Sequence, residues 1–279
     1  AGVRQVVIAN RDPNPIVAGG AAILENAGVN VVIGVRRESA ARLNAGFHLH
    51  SRGLGPWVTV KLAVSRDLKI AARPGERTPL TGEAAQRWVH LQRAGYDAIM
   101  VGGRTAHIDD PYLTVRGRTV RRQPIRVVVD PHLDLPVGSH LVSSAPEAPL
   151  MVLCDLDAPP DRRRGLEAGG ADVVTIASES EGRLSLNAVL QVLSSLDVAS
   201  VLVEGGGRLA TALLREGLVH RQLLLLAPLT VGPQGVPAYE EALVDDFGVW
   251  KVTDRQVLGR DVLIELDSTA ALEALEEAA

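Results

Sequence analysis

Along the chain, short apolar runs alternate with stretches whose apolar residues recur every three or four positions. The runs at 6–9, 29–35, 58–64, 98–101, 125–131, 150–154, 173–176, 198–203 and 223–227 predict strands. The periodic stretches at 17–28, 38–47, 82–94, 159–169, 186–195 and 208–216 predict helices, the first closed by Gly28. In 82–94 the apolar side chains Ala85, Trp88, Val89 and Ala94 oppose Glu83, Gln86, Arg87 and Gln92, which is the mark of a helix with one core face. The run 198–203 is nearly continuous, as expected of a strand buried on both sides. Residues 250–258 and 262–266 read as an antiparallel pair, and 12–15, Asp-Pro-Asn-Pro, as a turn. Strand–helix alternation gives an α/β fold with a mostly parallel sheet. The end of the chain, with Glu273, Glu276 and Glu277 among alanines, reads as a solvated helical tail. The leucine run 223–226 reads as an exposed apolar strand edge, so a homodimer is expected.

Residues 48–56 lack an apolar period and carry Gly53, Gly55 and Pro56, so they read as a linker dividing 1–55 from 56–279. The first unit is a βαβ fragment too small to be read as an independent domain. His48 and His50 have no cysteine or acid beside them to complete a metal site, and no metal is expected. Composition narrows the functional classes. A net charge of -4 and 3% aromatics argue against a nucleic-acid or membrane surface. The single cysteine, Cys154, lies in an apolar run and reads as a buried thiol in a reducing compartment. No apolar run approaches the ~20 residues of a membrane span and no signal peptide is recognisable, so a cytoplasmic protein is expected.

Candidate chemistry concentrates at 97–116. A buried strand ends in Gly102-Gly103, and a polar loop follows with Thr105, Asp109-Asp110-Pro111 and Arg116. Ligands of open α/β sheets bind beyond the carboxyl ends of the strands. The alternative for the same residues is a solvated loop with an Asp-Pro turn.

This run, Val101-Gly102 through Thr105, Asp109-Asp110-Pro111, Leu113-Thr114 and Arg116, resembles the reductase signature of the riboflavin-biosynthesis bifunctional deaminase-reductase family. The similarity continues in order along most of the chain. Residues 60–71 resemble the family's first reductase strand and loop, and 80–94 its first helix. Val203-Glu204-Gly205-Gly206-Gly207-Arg208-Leu209 resembles its glycine-rich cofactor turn, and Ala227-Pro228 with Gly232 a late strand and turn. Residues 1–47 resemble the end of its cytidine-deaminase-like domain, through 12–15 and Leu43-Asn44.

The resemblance implies a dihydrofolate-reductase-like sheet, mostly parallel and flanked by helices, over 56–279. It also implies NADPH-dependent reduction of 5-amino-6-(5-phosphoribosylamino)uracil to its ribitylamino product. A glycine turn between a buried strand and a helix suits a pyrophosphate, although it lacks the full G-x-G-x-x-G pattern. By resemblance Gly206, Gly207, Arg208, Leu209, Ala210, Thr211 and Ala212 bind the cofactor, with Ala63, Thr105, Asp109 and Pro131. The phosphoribosylated pyrimidine falls to Arg93, Leu113, Arg116 and Glu204, with Arg77 a further phosphate contact. Lys61, in a buried strand where an unpaired lysine is rare, and Asp109 are the candidate catalytic groups.

All but one of the departures from the pattern lie in one loop. Pro79-Leu80-Thr81-Gly82 stands where the family has Trp-Ile-Thr-Gly, and Arg77 replaces a serine. Val219-His220-Arg221 replaces Val-Asp-Glu. The N-terminal fragment has no His-x-Glu and the only cysteine is remote, so deaminase activity is not expected of this chain. Two other readings stay open: a dihydrofolate-reductase-like reductase of another small substrate, and a non-catalytic NADPH-binding subunit.

Overall fold

The computed structural model describes every residue except 1, 15, 17, 18, 181, 240–248 and 279. The N-terminal fragment is the expected βαβ: β1 (Gln5–Ile8) and β2 (Asn30–Ile33) pair in parallel around α1 (Gly20–Asn26). The ends of the expected turn and helix, Pro15 and residues 17 and 18, lie outside the described residues. The single helix expected at 38–47 is two, α2 (Arg37–Leu43) and α3 (Ala45–His50). The second takes in His48 and His50, so the stretch read as linker begins as helix.

The order then runs β3 (Trp57–Val64), β4 (Lys69–Ala71), α4 (Glu83–Gln92) with a 3-10 turn at Arg93–Gly95, β5 (Ala98–Gly102), α5 (Gly103–Asp109) and β6 (Ile125–Val129). Next come α6 (His140–Ser143), β7 (Leu150–Cys154), α7 (Pro160–Ala168), β8 (Asp172–Thr175) and a short hairpin of β9 (Ser178–Ser180) and β10 (Arg183–Leu184). The chain continues with α8 (Leu186–Ser195), β11 (Ser200–Glu204), α9 (Gly207–Arg215), β12 (Arg221–Leu226), β13 (Val236–Pro237), β14 (Trp250–Leu258), β15 (Asp261–Ser268) and α10 (Thr269–Ala278).

Among the described residues, nine strands form one sheet in the order β14-β15-β12-β3-β11-β5-β6-β7-β8. From β12 to β8 every neighbour is parallel; β15 and β14 add an antiparallel end. The mostly parallel, helix-flanked sheet is therefore as expected. Alternation along β3 sorts its two faces. Val58, Val60, Leu62 and Val64 pack with α8 and α9 residues such as Leu193 and Leu213. The opposite face, with Ile99, Val101, Leu202 and Leu223, packs against Ala85 and Val89 of α4 and Ala106 of α5.

Three expectations are corrected. Residues 103–109 are helix rather than loop, so Thr105 sits in a first helical turn and Asp109 in a last one. The leucine run is no edge: β12 lies between β15 and β3, and Leu223 and Leu225 are buried, so it offers no surface to a second copy. The C-terminal helix is not a solvated tail. Ala271 and Leu275 bury against Ala41, Ala45, Leu49 and Trp57. Arg42 of α2 reaches the fully buried Asp267 at 2.9 Å, and Arg221 of β12 pairs with the same carboxylate at 2.7 Å. Helices α2 and α3 thus share core and charge with the large sheet. Among the described residues no helix is long and apolar enough to cross a membrane.

Candidate active site

The parallel register places the candidate groups at one edge. Lys61 of β3 is the direct partner of Glu204, the last residue of β11. Both point to the α4 side. There Arg93, in the turn that ends α4, forks onto Glu204: Nε donates to Oε1 at 2.5 Å and a terminal nitrogen to Oε2 at 2.9 Å. Another terminal nitrogen donates to the Thr114 carbonyl at 2.9 Å. Arg93 and Glu204 are only 7% exposed each, so this is a buried, bidentate ion pair. The sequence assigned both residues to the substrate. The structure spends the Arg93 fork on Glu204 instead, which fixes the carboxylate and the 114 segment.

The electrostatics follow from that packing. Burial alone would raise the Glu204 pKa; Arg93, aided by Lys61 and His90, outweighs it and keeps the carboxyl below its ordinary value. Burial lowers the Lys61 ammonium, and Glu204 and Asp109 only partly restore it. Burial raises Asp109, against the countering charges of Arg77 and Lys61. Lys61 and Asp109 are thus driven toward one another's range, an arrangement suited to passing a proton. Arg77, the departure from the family pattern, lies on the loop facing Asp109. That loop is pinned at both ends: Thr78 Oγ1 accepts from the Ala72 amide at 2.8 Å, and the Gly82 amide donates to Asp261 at 2.8 Å.

The glycine turn meets the same edge. Gly205 and Gly206 have φ of 69° and 78°, the left-handed region that favours glycine. A Cβ on Gly206 would lie 2.7 Å from Thr105 Oγ1, so the turn and the first turn of α5 touch backbone to side chain. The first amides of α9 have no intrahelical acceptor and carry the helix's positive end. A nicotinamide cofactor fits this cradle: backbone at 206–209 for a pyrophosphate, Thr105 beside it, and exposed Arg208 at the rim. Leu209, Ala210 and Thr211 bury their side chains and Ala212 packs against the core, so those residues can offer a ligand only backbone. Ala63 shares the Lys61 face. Pro131 follows β6 at the same edge, and its carbonyl accepts from the Asp155 amide at 3.0 Å. Leu113 is buried at φ 53°, a strained setting for leucine that holds its segment in one shape.

Two groups escaped the sequence reading. His90 lies one helical turn before Arg93, its Nδ1 3.3 Å from an Arg93 nitrogen. Burial, Arg93 and Arg116 lower its pKa. The spacing of three along a helix was the available signal. Asp67 accepts from Ser65 Oγ at 2.6 Å and from the Val231 and Gly232 amides at 3.0 and 2.7 Å. It ties the loop after β3 to the turn after β12, and those bonds hold its carboxyl well below the usual range. Among the described residues no group of three or more His, Cys, Asp and Glu is placed to hold a metal ion.

The whole chain also resembles known proteins. The family model described as the RibD C-terminal domain matches residues 56–264. Riboflavin biosynthesis protein RibD of Aquifex aeolicus (strain VF5) is 32% identical over 273 residues, which are 95% of this chain and 72% of that protein. Acinetobacter baumannii RibD superposes with a TM-score of 0.80 at 31% identity, covering 95% of this chain and 73% of that one. A Thermotoga maritima structure described as a diaminohydroxyphosphoribosylaminopyrimidine deaminase/5-amino-6-(5-phosphoribosylamino)uracil reductase gives 0.78 at 26%, covering 96% and 72%. With the family model matched over 56–264 and a relative 32% identical along 95% of its length, the chain belongs to the RibD C-terminal domain family.

Proposed function

We propose that this chain is the NADPH-dependent reductase of 5-amino-6-(5-phosphoribosylamino)uracil in riboflavin biosynthesis. Membership of the RibD C-terminal domain family supports the reaction class. The observation that carries the reading is the Lys61–Glu204–Arg93 array beside the glycine turn, with Asp109 opposite. When bound, the cofactor supplies a hydride. The chain's own residues do the rest. The 206–209 backbone, Thr105 and Arg208 hold the pyrophosphate. Arg116 takes the substrate phosphate, with Arg77 as a second cation, and the Leu113 backbone and Glu204 fix the pyrimidine. Opening the ribose ring moves the glycosylamine N–H proton to the ring oxygen and leaves a C1′=N bond. Asp109 and Lys61 carry that proton across, and one of them returns a proton to nitrogen when C1′ is reduced. The chain acts as a homodimer in this reading; the outer strand β14, with Val252 and Val257 exposed, is an edge available for pairing.

The test is NADPH oxidation by the purified chain with the deaminated substrate and, in parallel, its undeaminated precursor. Turnover of the first alone is expected. NADPH binding without turnover of either would overturn the reading. Arg77, facing Asp109, favours one second reading, a reductase of a different small substrate. A substrate panel, followed by Arg77→Ser, separates the two.

A further inference from the structure

Arg116 poses a physical problem. It lies beyond Asp109 on a segment with neither helix nor strand, and it is exposed, as are residues 117–119. A free guanidinium there would lose much rotamer freedom on gripping an anion. The structure holds it by a relay. The Arg116 Cζ lies 4.7 Å from the centre of the Tyr112 ring. That ring stacks on His140, centroids 4.3 Å apart and planes inclined by 20°. His140 is locked in turn to the end of α5. Its amide donates to Asp110 Oδ1 at 2.8 Å, and its Nδ1 lies 2.9 Å from the Asp110 carbonyl and 3.0 Å from Oδ2.

The base of the relay is rigid. Ser139 caps α6, and Leu141 and Val142 are buried beneath it. The Tyr112 carbonyl accepts from the fully buried Arg126 at 3.2 Å. Asp110 adopts φ 37° directly after Asp109. Arg116 lies close enough to the cluster to depress His90. A residue on α6, outside every motif that carries the family resemblance, therefore joins Asp110 at the end of α5 to the Tyr112 ring on which Arg116 lies.

We propose that His140 is a positioning residue for phosphate recognition: through Tyr112 it presents Arg116 to the phosphate of the substrate. The proposal rests on the functional reading above, which gives the substrate phosphate to Arg116. Aromatic stacking supplies the platform, and the contacts to Asp110 set its angle.

Three variants separate the parts. His140→Ala removes ring and polar contact, His140→Asn keeps a polar group without the ring, and His140→Phe keeps the ring alone. His140→Ala and His140→Asn should raise KM for the phosphorylated substrate about tenfold while kcat and NADPH affinity stay within about twofold. His140→Phe should restore KM to within about threefold of the parent. Calorimetric titration with ribose 5-phosphate, without NADPH, provides a readout independent of turnover and should follow the same order. The proposal is overturned if His140→Ala leaves KM and ribose 5-phosphate affinity unchanged while Arg116→Ala raises both dissociation terms. It is also overturned if kcat, NADPH affinity and thermal midpoint fall together, which marks a merely structural staple, or if the parent chain does not bind ribose 5-phosphate. Should the parent bind ribose 5-phosphate in the expected order of variants yet turn nothing over, the relay stands and the proposed reaction falls.

Discussion

Gly206 joins backbone conformation to the proposed cofactor site at a single residue. Its φ of 78° is one that an alanine adopts at a cost of about 1–2 kcal/mol, and the added Cβ would press on Thr105 Oγ1. Gly206→Ala should therefore weaken NADPH binding about tenfold or more, read by fluorescence titration, with a smaller loss of thermal stability. Unchanged NADPH affinity would remove the glycine turn from the cofactor site. At this scale the sequence shows residue types well and pairings poorly. Lys61, Glu204, Arg93 and Asp109 were all legible as candidates, because acids, cations and glycines stood in a recognisable order. That Arg93 is consumed by Glu204, 111 positions away, was not, since only the strand register and the end of α4 bring them together. His140 carried no signal at all. It matters through the fold of α6 onto Asp110, which no local pattern encodes.

Elements were read best where one face is plainly apolar. The pattern of α8, with Leu186, Val189, Leu190 and Leu193 buried, matches its expected bounds, as β7 does. Short or capped elements were missed: α5 turns only Ala106 fully into the core, and Gly102 and Asp110-Pro111 at its ends look like loop. In α10 the spacing of Ala271 and Leu275, four apart, was present but masked by the glutamates around it. The junction between β3 and β12 gives a pH test. The His220 ring stacks on Trp57 at 4.9 Å, and its Nδ1 accepts from the Val58 amide at 3.0 Å. An acceptor nitrogen must be unprotonated, and burial pushes the His220 pKa from 6.5 down to about 4. The unfolded chain then binds a proton that the native chain refuses. Stability from this group is complete above pH 6.5 and is lost as pH falls toward about 4. Relative to His220→Asn, the parent should lose about 2–3 kcal/mol more between about pH 7 and about pH 4.5 in urea unfolding. Parallel pH profiles for the two proteins would contradict a buried neutral imidazole.

In the whole molecule the strand order does the functional work. β3 sits between β12 and β11, with β5 next, so Lys61 lies level with Glu204 at the end of β11, and Gly102 ends the neighbouring strand. The turns leaving these strand ends hold the glycine cradle on one face of the sheet and the charged array on the other. Parallel strands and intervening helices were legible in the alternation of apolar runs. Strand order was not, and the leucine run of β12 shows why: a fully apolar strand suits an interior position, yet its place beside β3 depends on partners far away in sequence. The proposed reaction delivers a hydride to the sugar carbon of a phosphoribosylaminopyrimidine. The direct measurement is turnover with NADPH deuterated at the transferring carbon, followed by mass spectrometry and NMR of the product. One deuteron at C1′ of the ribitylamino chain is the predicted result. A product without deuterium at that carbon, or substrate recovered unchanged beside intact cofactor, would contradict it.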